Sequence, residues 1–342
     1  MNGKRPVAPE GMDQTARQLV VREAPSGRGI RHPMVLGLAW CLIGSVGVVM
    51  MPVISCAVIA YGLAVAARGA GRRGELVALL ASLVASVLGT SLMVSPYDIP
   101  SAVLSVICSY AMVRGVVRGR LRTAGMLLAG VAVTAALVGI DMVSTTLQGT
   151  TIDQVIREQV NLVVESSSGS LDLDGTAALI EAKEQVMAYW PTIYFVTAMG
   201  MVLCSLLGAI SGMRAAGAPV ARGLIARYDV PLWVAELFAL GVAAELLGPR
   251  LPSWADEVTM AGLNVVMCTR LALAQQGLSV LHWWLREHRV NPFKGSLLIL
   301  LGVWLELSFA LTSVVGLLDV IANFRHIERR RGDLALWPTR ER

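Results

Sequence analysis

Long uncharged runs of membrane-spanning length repeat along this chain, and the gaps between them are alternately rich and poor in arginine. Inside a bilayer no water satisfies backbone N–H and C=O groups, so apolar runs of about 20 residues fold as helices. Lys and Arg concentrate in cytoplasmic loops, so the alternation also orients those helices. With the N-terminus inside, the inner gaps before residue 230 hold six, three, four and three Lys or Arg, ending with Arg214, Arg222 and Arg227. The outer turns at Pro52 and at Ser95–Pro100 hold none. The pattern predicts an all-α, polytopic helical bundle in the cell (cytoplasmic) membrane, with its N-terminus in the cytoplasm.

Composition agrees. Only 15% of the residues are charged and 55% are hydrophobic, against about 25% charged in soluble domains. The formal net charge of +5 lies between apolar runs, where anionic lipid headgroups are the natural partner. No basic helix or RNA-binding motif accompanies it, so nucleic acid is not expected. The cysteines Cys41, Cys56, Cys108, Cys204 and Cys268 are scattered through the apolar runs without a C-x-x-C pair. They read as small packing residues, and no metal or cofactor is expected.

Along the chain, residues 1–33 form a basic, polar cytoplasmic tail that predicts disorder, followed by a membrane domain over 34–325 and a basic tail over 326–342. The uncharged stretch 34–67 is too long for one crossing and is divided at Met51-Pro52 into 34–50 and 53–67. Further runs cover 75–95, 100–113, 123–145, 188–213, 230–248, 258–284 and 296–323. Residues 146–187 form a large acidic outer loop. Within it, Thr151-Ile152-Asp153-Gln154 is a capping box that starts an amphipathic helix. Ser166–Ser170 ends that helix, and a second is expected from Thr176 into the next span. The two helices suit either a cap over the outer mouth or a solvated hairpin.

The arginine count fails at the end. Nine crossings would put the six arginines after residue 323 outside, while the basic gap 285–295 (Arg286, Arg289, Lys294) lies inside. Both gaps are inside only if 296–323 enters and returns or another segment fails to cross. Eight or nine segments are therefore expected, with the C-terminus leaning inside.

Six ionisable residues interrupt the runs: Asp141, Glu236, Glu245, Arg270, Glu306 and Asp319. Charges at mid-bilayer pair or line a cavity. Arg270 and Glu306 are both near mid-run and are expected to pair; Asp141, Glu245 and Asp319 are near run ends, within reach of headgroups. With Glu236, Asn264, Gln275 and Gln276, the Arg270–Glu306 pair forms either a structural cluster or a polar pocket. Gly200, Cys204, Gly208 and Gly212 recur every four residues, a ridge of small side chains for close helix packing within the chain or with a partner. No Walker A motif, G-x-S-x-G, H-E-x-x-H or catalytic triad is present, so no enzyme is indicated.

The stretches Gly262-Leu263-Asn264, Gln276-Gly277-Leu278-Ser279 and Gly316-Leu317-Leu318-Asp319 through Phe324-Arg325 resemble the C-terminal signature of the YybS-like bacterial membrane proteins, catalogued as domain of unknown function 2232. The resemblance covers nearly the whole chain after residue 33. It marks Gly316, Asp319, Phe324 and Arg325 as signature residues. Leu273 and Ile321 stand where that family usually has an aromatic residue and a Trp. The family brings no reaction. Its first six segments are similar to the substrate-binding S components of energy-coupling-factor transporters, which implies a small-molecule ligand and a coupling ATPase complex as partners. Three functions compete: transport-related binding of a small solute, a membrane scaffold or regulatory subunit for protein partners, and a lipid-modifying enzyme.

Overall fold

The computed structural model describes residues 32–327 apart from 120, 122, 169–172, 219–227 and 252. Both expected tails, the end of the Ser166–Ser170 break and the basic residues Arg222 and Arg227 lie wholly or mainly outside the described residues. Within them the chain forms ten α-helices: α1 (Pro33–Val46), α2 (Pro52–Met93), α3 (Ile99–Arg118), α4 (Thr123–Leu147), α5 (Ile152–Ser168), α6 (Leu173–Ala215), α7 (Leu232–Leu247), α8 (Ala255–Glu287), α9 (Pro292–Phe309) and α10 (Leu311–Ala322). Seven helices are long and apolar enough to cross a membrane.

Pro52 sits in the first turn of α2, where its missing N–H costs nothing. The 42-residue α2 is broken at Ala70 and at Gly71, whose φ of +60° suits a residue without Cβ. The chain reverses there. A Cβ on Gly74 would lie 2.5 Å from the Ala66 carbonyl, and one on Gly69 would lie 2.8 Å from Pro33. At the far end Gly89 faces Val46, 3.4 Å away. α2 is thus two membrane segments, 52–69 and 72–93, close to the expected 53–67 and 75–95. The turn between them carries Arg68, Arg72 and Arg73. Just beyond it, the buried Glu75 pairs with Arg114 of α3 at 3.0 Å.

α6 runs along the first half of α2, and the small ridge makes that contact. Cβ atoms on Gly208 and Gly212 would lie 2.0 Å from the Ala57 carbonyl and 2.5 Å from the Tyr61 carbonyl; Gly200 faces Val53 at 3.2 Å. Ser109 of α3 stitches the same region, donating to the Cys56 carbonyl at 3.2 Å and facing Ser205 at 3.3 Å. The capping box of α5 forms as expected: Thr151 N–H donates to Gln154 Oε1 at 3.0 Å and Gln154 N–H to Thr151 Oγ1 at 3.3 Å. α6 begins at Leu173, three residues before the expected Thr176.

The last run, 296–323, is not one span. α9 ends at Ala310, whose φ of +55° turns the chain, and α10 packs back on α8. On the way in, Gly302 lies beside Leu281 and Leu278, and Glu306 reaches Arg270. On the way back, Ser313 bonds the Arg270 carbonyl and Asp319 bonds Gln276. α9 and α10 therefore climb to the middle of α8 and return. This places Arg325 at the same end of the bundle as Arg286, Arg289 and Lys294. The hairpin suits the arginine count: α1, the two halves of α2, α3, α4, α6, α7 and α8 run alternately between the two ends, and α9–α10 returns to the end it leaves, although α9 is among the seven span-length helices and the 14-residue α1 is not.

Candidate functional site

The residues expected to share one polar pocket separate into distinct groups. Glu306 and Arg270 do pair. Arg270 donates from Nε to Glu306 Oε1 at 2.9 Å and from Nη2 to the Glu306 carbonyl at 2.9 Å. The carboxylate also accepts from Thr312 Oγ1 at 2.7 Å, Ser313 N–H at 2.8 Å and Ser313 Oγ at 2.5 Å. These donors belong to the turn that follows Ala310. A non-glycine residue at positive φ is strained by about 1–2 kcal/mol, and the carboxylate fastens the strained turn to mid-α8.

A second cluster is more deeply buried. Arg325 donates from Nε and Nη2 to Asp319 Oδ2, at 3.0 and 2.8 Å, and Nη2 lies 3.7 Å from Asp229 Oδ1. Gln276 Nε2 donates to Asp319 Oδ2 at 2.7 Å and to Asp229 Oδ1 at 3.1 Å, while its Oε1 accepts from Val230 N–H at 3.0 Å. Asp319 and Gln276 are 0% exposed. Asp319 was expected near headgroups; it instead anchors α10, because the guanidinium six residues later folds back onto it. Asp141 is half-buried and accepts from the Tyr194 hydroxyl. Gly316 and Gly277 form the crossing above this cluster: Cβ atoms on them would lie 1.9 Å from the Leu273 and Thr312 carbonyls. Three signature residues, Gly316, Asp319 and Arg325, thus dock α10 on α8, while Phe324 is exposed. Leu273 is buried at the crossing and Ile321 is exposed, so neither lines a cleft.

Asn264 serves α6. Its Oδ1 accepts from Thr192 N–H at 3.1 Å and Thr192 Oγ1 at 2.8 Å, and its Nδ2 donates to the Ala188 carbonyl at 2.9 Å. Ala188 and Thr192 are the two ends of one helical rung spanning Pro191. Proline removes the neighbouring rung, from residue 191 to residue 187, and one amide from α8 reaches both backbone groups beside it. Asn264 and Gln275, both on α8, therefore have separate uses. Glu236 is exposed on α7 and has no hydrogen bond or ion pair among the described residues. Glu245 is half-buried near the Gly248 end of the same helix.

Gln275 lines the larger of two clefts. This cleft has a volume of about 250 Å³ and lies between α3, α4, α6 and α8. Its walls are apolar, with Leu121, Met126, Leu203, Leu207, Ile210 and Leu278 prominent. Tyr228 O–H donates to Gln275 Oε1 at 2.9 Å on the wall, and Ser279 also lines the cleft. A second cleft of about 220 Å³, between α4, α6, α7 and α8, is lined by Phe195, Trp233, Leu237 and Cys268 among others. None of the described residues of the acidic loop 146–187 is among the lining of either cleft. Sequence inspection missed Asp229, Glu75 and Tyr228, which stand at run boundaries where a polar residue draws no notice.

No curated protein and no solved structure matches the chain. A family profile described as a predicted membrane protein matches residues 34–320. That span takes in every described helix from α2 to α9, both clefts and both polar clusters except Arg325, and the chain belongs to this predicted membrane protein family, DUF2232.

Proposed function

We propose that this is a multi-pass protein of the cell membrane, its N-terminus and Arg325 both on the cytoplasmic side, that binds a small lipophilic solute in the cleft between α3, α4, α6 and α8. The observation that carries this reading is the cleft itself: about 250 Å³, near the lower end of small-molecule pockets at roughly 300–1,000 Å³, with an almost wholly apolar surface and Tyr228, Gln275 and Ser279 in its wall. A water-soluble vitamin has too few partners there. An acyl or prenyl chain with a carbonyl or hydroxyl near Gln275 suits it. In this reading the chain is the recognition part of a transport system, with energy supplied by a coupling ATPase complex, and performs no chemistry itself.

A scaffold role loses its most specific support, because the Gly200–Gly212 ridge is spent on α2 within the chain. The lipid-enzyme reading lacks converging free carboxylates: Asp229 and Asp319 are engaged by Gln276 and Arg325. The test is binding of a pyrene-labelled acyl chain to protein in nanodiscs, with Leu278→Trp filling the cleft. Saturable binding that falls at least tenfold in the folded variant is expected. Equal binding by both proteins would sink the proposal.

A further inference from the structure

The larger cleft lies toward the arginine-rich end of the bundle, and its mouth is cationic. α3, α6 and α8 all run toward that end, and the cleft follows their C-terminal halves, at Gly119, Ile210, Leu278 and Ser279 among others. The same helical registers carry charge beyond it. On α8 the lining residues Gln275, Leu278 and Ser279 recur at spacings of three and four, and His282 and Arg286 continue that series. On α6 the lining residues Leu203, Leu207 and Ile210 are continued in the same way by Arg214. On α3, Arg118 stands beside Gly119, where the helix ends at a φ of +62°. Arg118, Arg214 and Arg286 are the basic residues in the last turns of these three helices. All three are exposed, and His282 is half-buried. Among the described residues no side-chain hydrogen bond or ion pair engages the three guanidinium groups.

We infer that the solute of this cleft is a single-chain lipid phosphate taken from the cytoplasmic leaflet, its hydrocarbon in the cleft and its phosphate among Arg118, Arg214, His282 and Arg286. This rests on the solute reading above and adds the head group and the side of entry. Charge complementarity selects the head. A phosphate monoester carries about −1.5 to −2 charges near neutral pH, and guanidinium groups bind its oxygens in pairs. The three helix C-termini contribute roughly half a negative charge each, which three guanidinium groups outweigh about twofold. The acids at this end do not cancel the rest. Glu75, Asp229 and Asp319 each hold a guanidinium already, Glu236 is on α7, which does not line the cleft, and Glu287 points about 100° away from Arg286. Size and depth select the tail. A cleft of about 250 Å³, at the low end of small-molecule pockets, suits one hydrocarbon chain. Gln275 and Arg286 are about 16 Å apart along α8, close to one leaflet of a core about 30 Å thick. A head at the mouth with its chain beside Gln275 thus keeps the depth and orientation of a lipid in the cytoplasmic leaflet.

The test is displacement of the pyrene-labelled acyl chain from the protein in phosphatidylcholine nanodiscs by monooleoylglycerol and by its phosphate ester, which share the chain and the ester carbonyl. The phosphate is expected to compete at least tenfold more strongly. Arg214→Gln with Arg286→Gln should close that gap at an unchanged melting temperature. Arg72→Gln with Arg73→Gln, which removes two charges from a turn outside the cleft, should keep it. Equal competition by the two lipids, lost for both in Leu278→Trp, overturns the phosphate inference and leaves the solute reading standing. Competition by neither lipid, or competition that survives Leu278→Trp, overturns both. A gap that survives Arg214→Gln with Arg286→Gln, or that the Arg72 and Arg73 substitutions close equally, is an effect of general surface charge and overturns the inference. So does displacement by inorganic phosphate at the same concentration as the lipid phosphate, which would make the arginine ring a site for free phosphate.

Discussion

The Arg270–Glu306 pair allows a quantitative test of why α9 turns back. Breaking a buried ion pair from one side costs about 3–5 kcal/mol. Here the side chains keep 29% and 13% exposure, so the cost is scaled down. Glu306→Leu strands the guanidinium at mid-depth and frees Thr312 and Ser313, for about 3 kcal/mol. Arg270→Leu leaves the carboxylate with its three donors from Thr312 and Ser313, for about 2 kcal/mol. Independent sites would sum to about 5 kcal/mol, whereas one interacting unit predicts about 3 kcal/mol for the double variant and a coupling near 2 kcal/mol. Reversible unfolding in mixed micelles, titrated with SDS and followed by tryptophan fluorescence, measures all four corners of the cycle. Additivity within about 0.5 kcal/mol would refute the argument that this pair fastens the hairpin. The double variant is also expected to retain cleft binding, since neither residue lines the cleft.

Gly208→Ala and Gly316→Ala, whose Cβ atoms would press on backbone carbonyls at 2.0 and 1.9 Å, should each lower the melting temperature in detergent sharply; Gly125→Ala, with open space around it, should not. Asn264→Leu, which strips three bonds from the Pro191 region of α6, should cost about 1–3 kcal/mol in the same SDS titration; a loss under 0.5 kcal/mol would mean that the rung is intact without it. Arg325→Met should cost about 3–5 kcal/mol by stranding Asp319, and Arg325→Met with Asp319→Leu should recover part of the loss. Cysteines placed at Gly149, Arg289 and His326 should divide under an impermeant maleimide applied to intact cells: the first labelled, the other two protected. Labelling of position 326 from outside would exclude the returning hairpin.

Periodicity and charge made most of the helices legible, because a bilayer forces each uncharged run into the same solution. The break at Ala70–Gly71 was readable from three arginines around it, and the Thr151 cap from a local four-residue pattern. The pairing of Arg270 with Glu306 was readable because both are costly at the same depth. A returning 296–323 was one of two readings the arginine count allowed, but its turn at Ala310 was not readable, since alanine carries no turn signal and the turn is held by the Glu306 carboxylate. The second cluster escaped for a related reason. Asp229 and Arg325 look like ordinary boundary charges until α10 brings Asp319 down between them. The clefts were illegible altogether: leucines that line a void and leucines that fill one have the same hydropathy.

The position of Arg325 in the chain has a consequence for biogenesis. Asp229 and Gln276 leave the ribosome well before the residue that completes their cluster, and Asp319 enters with the last hairpin only six residues ahead of its guanidinium. During synthesis the half-built domain therefore lacks the guanidinium that bridges Asp319 and Asp229. It is closed only when α10 docks through the Gly316–Gly277 crossing. A chain cut short before residue 325 would lack this bridge, so the last hairpin would dock without its final tie.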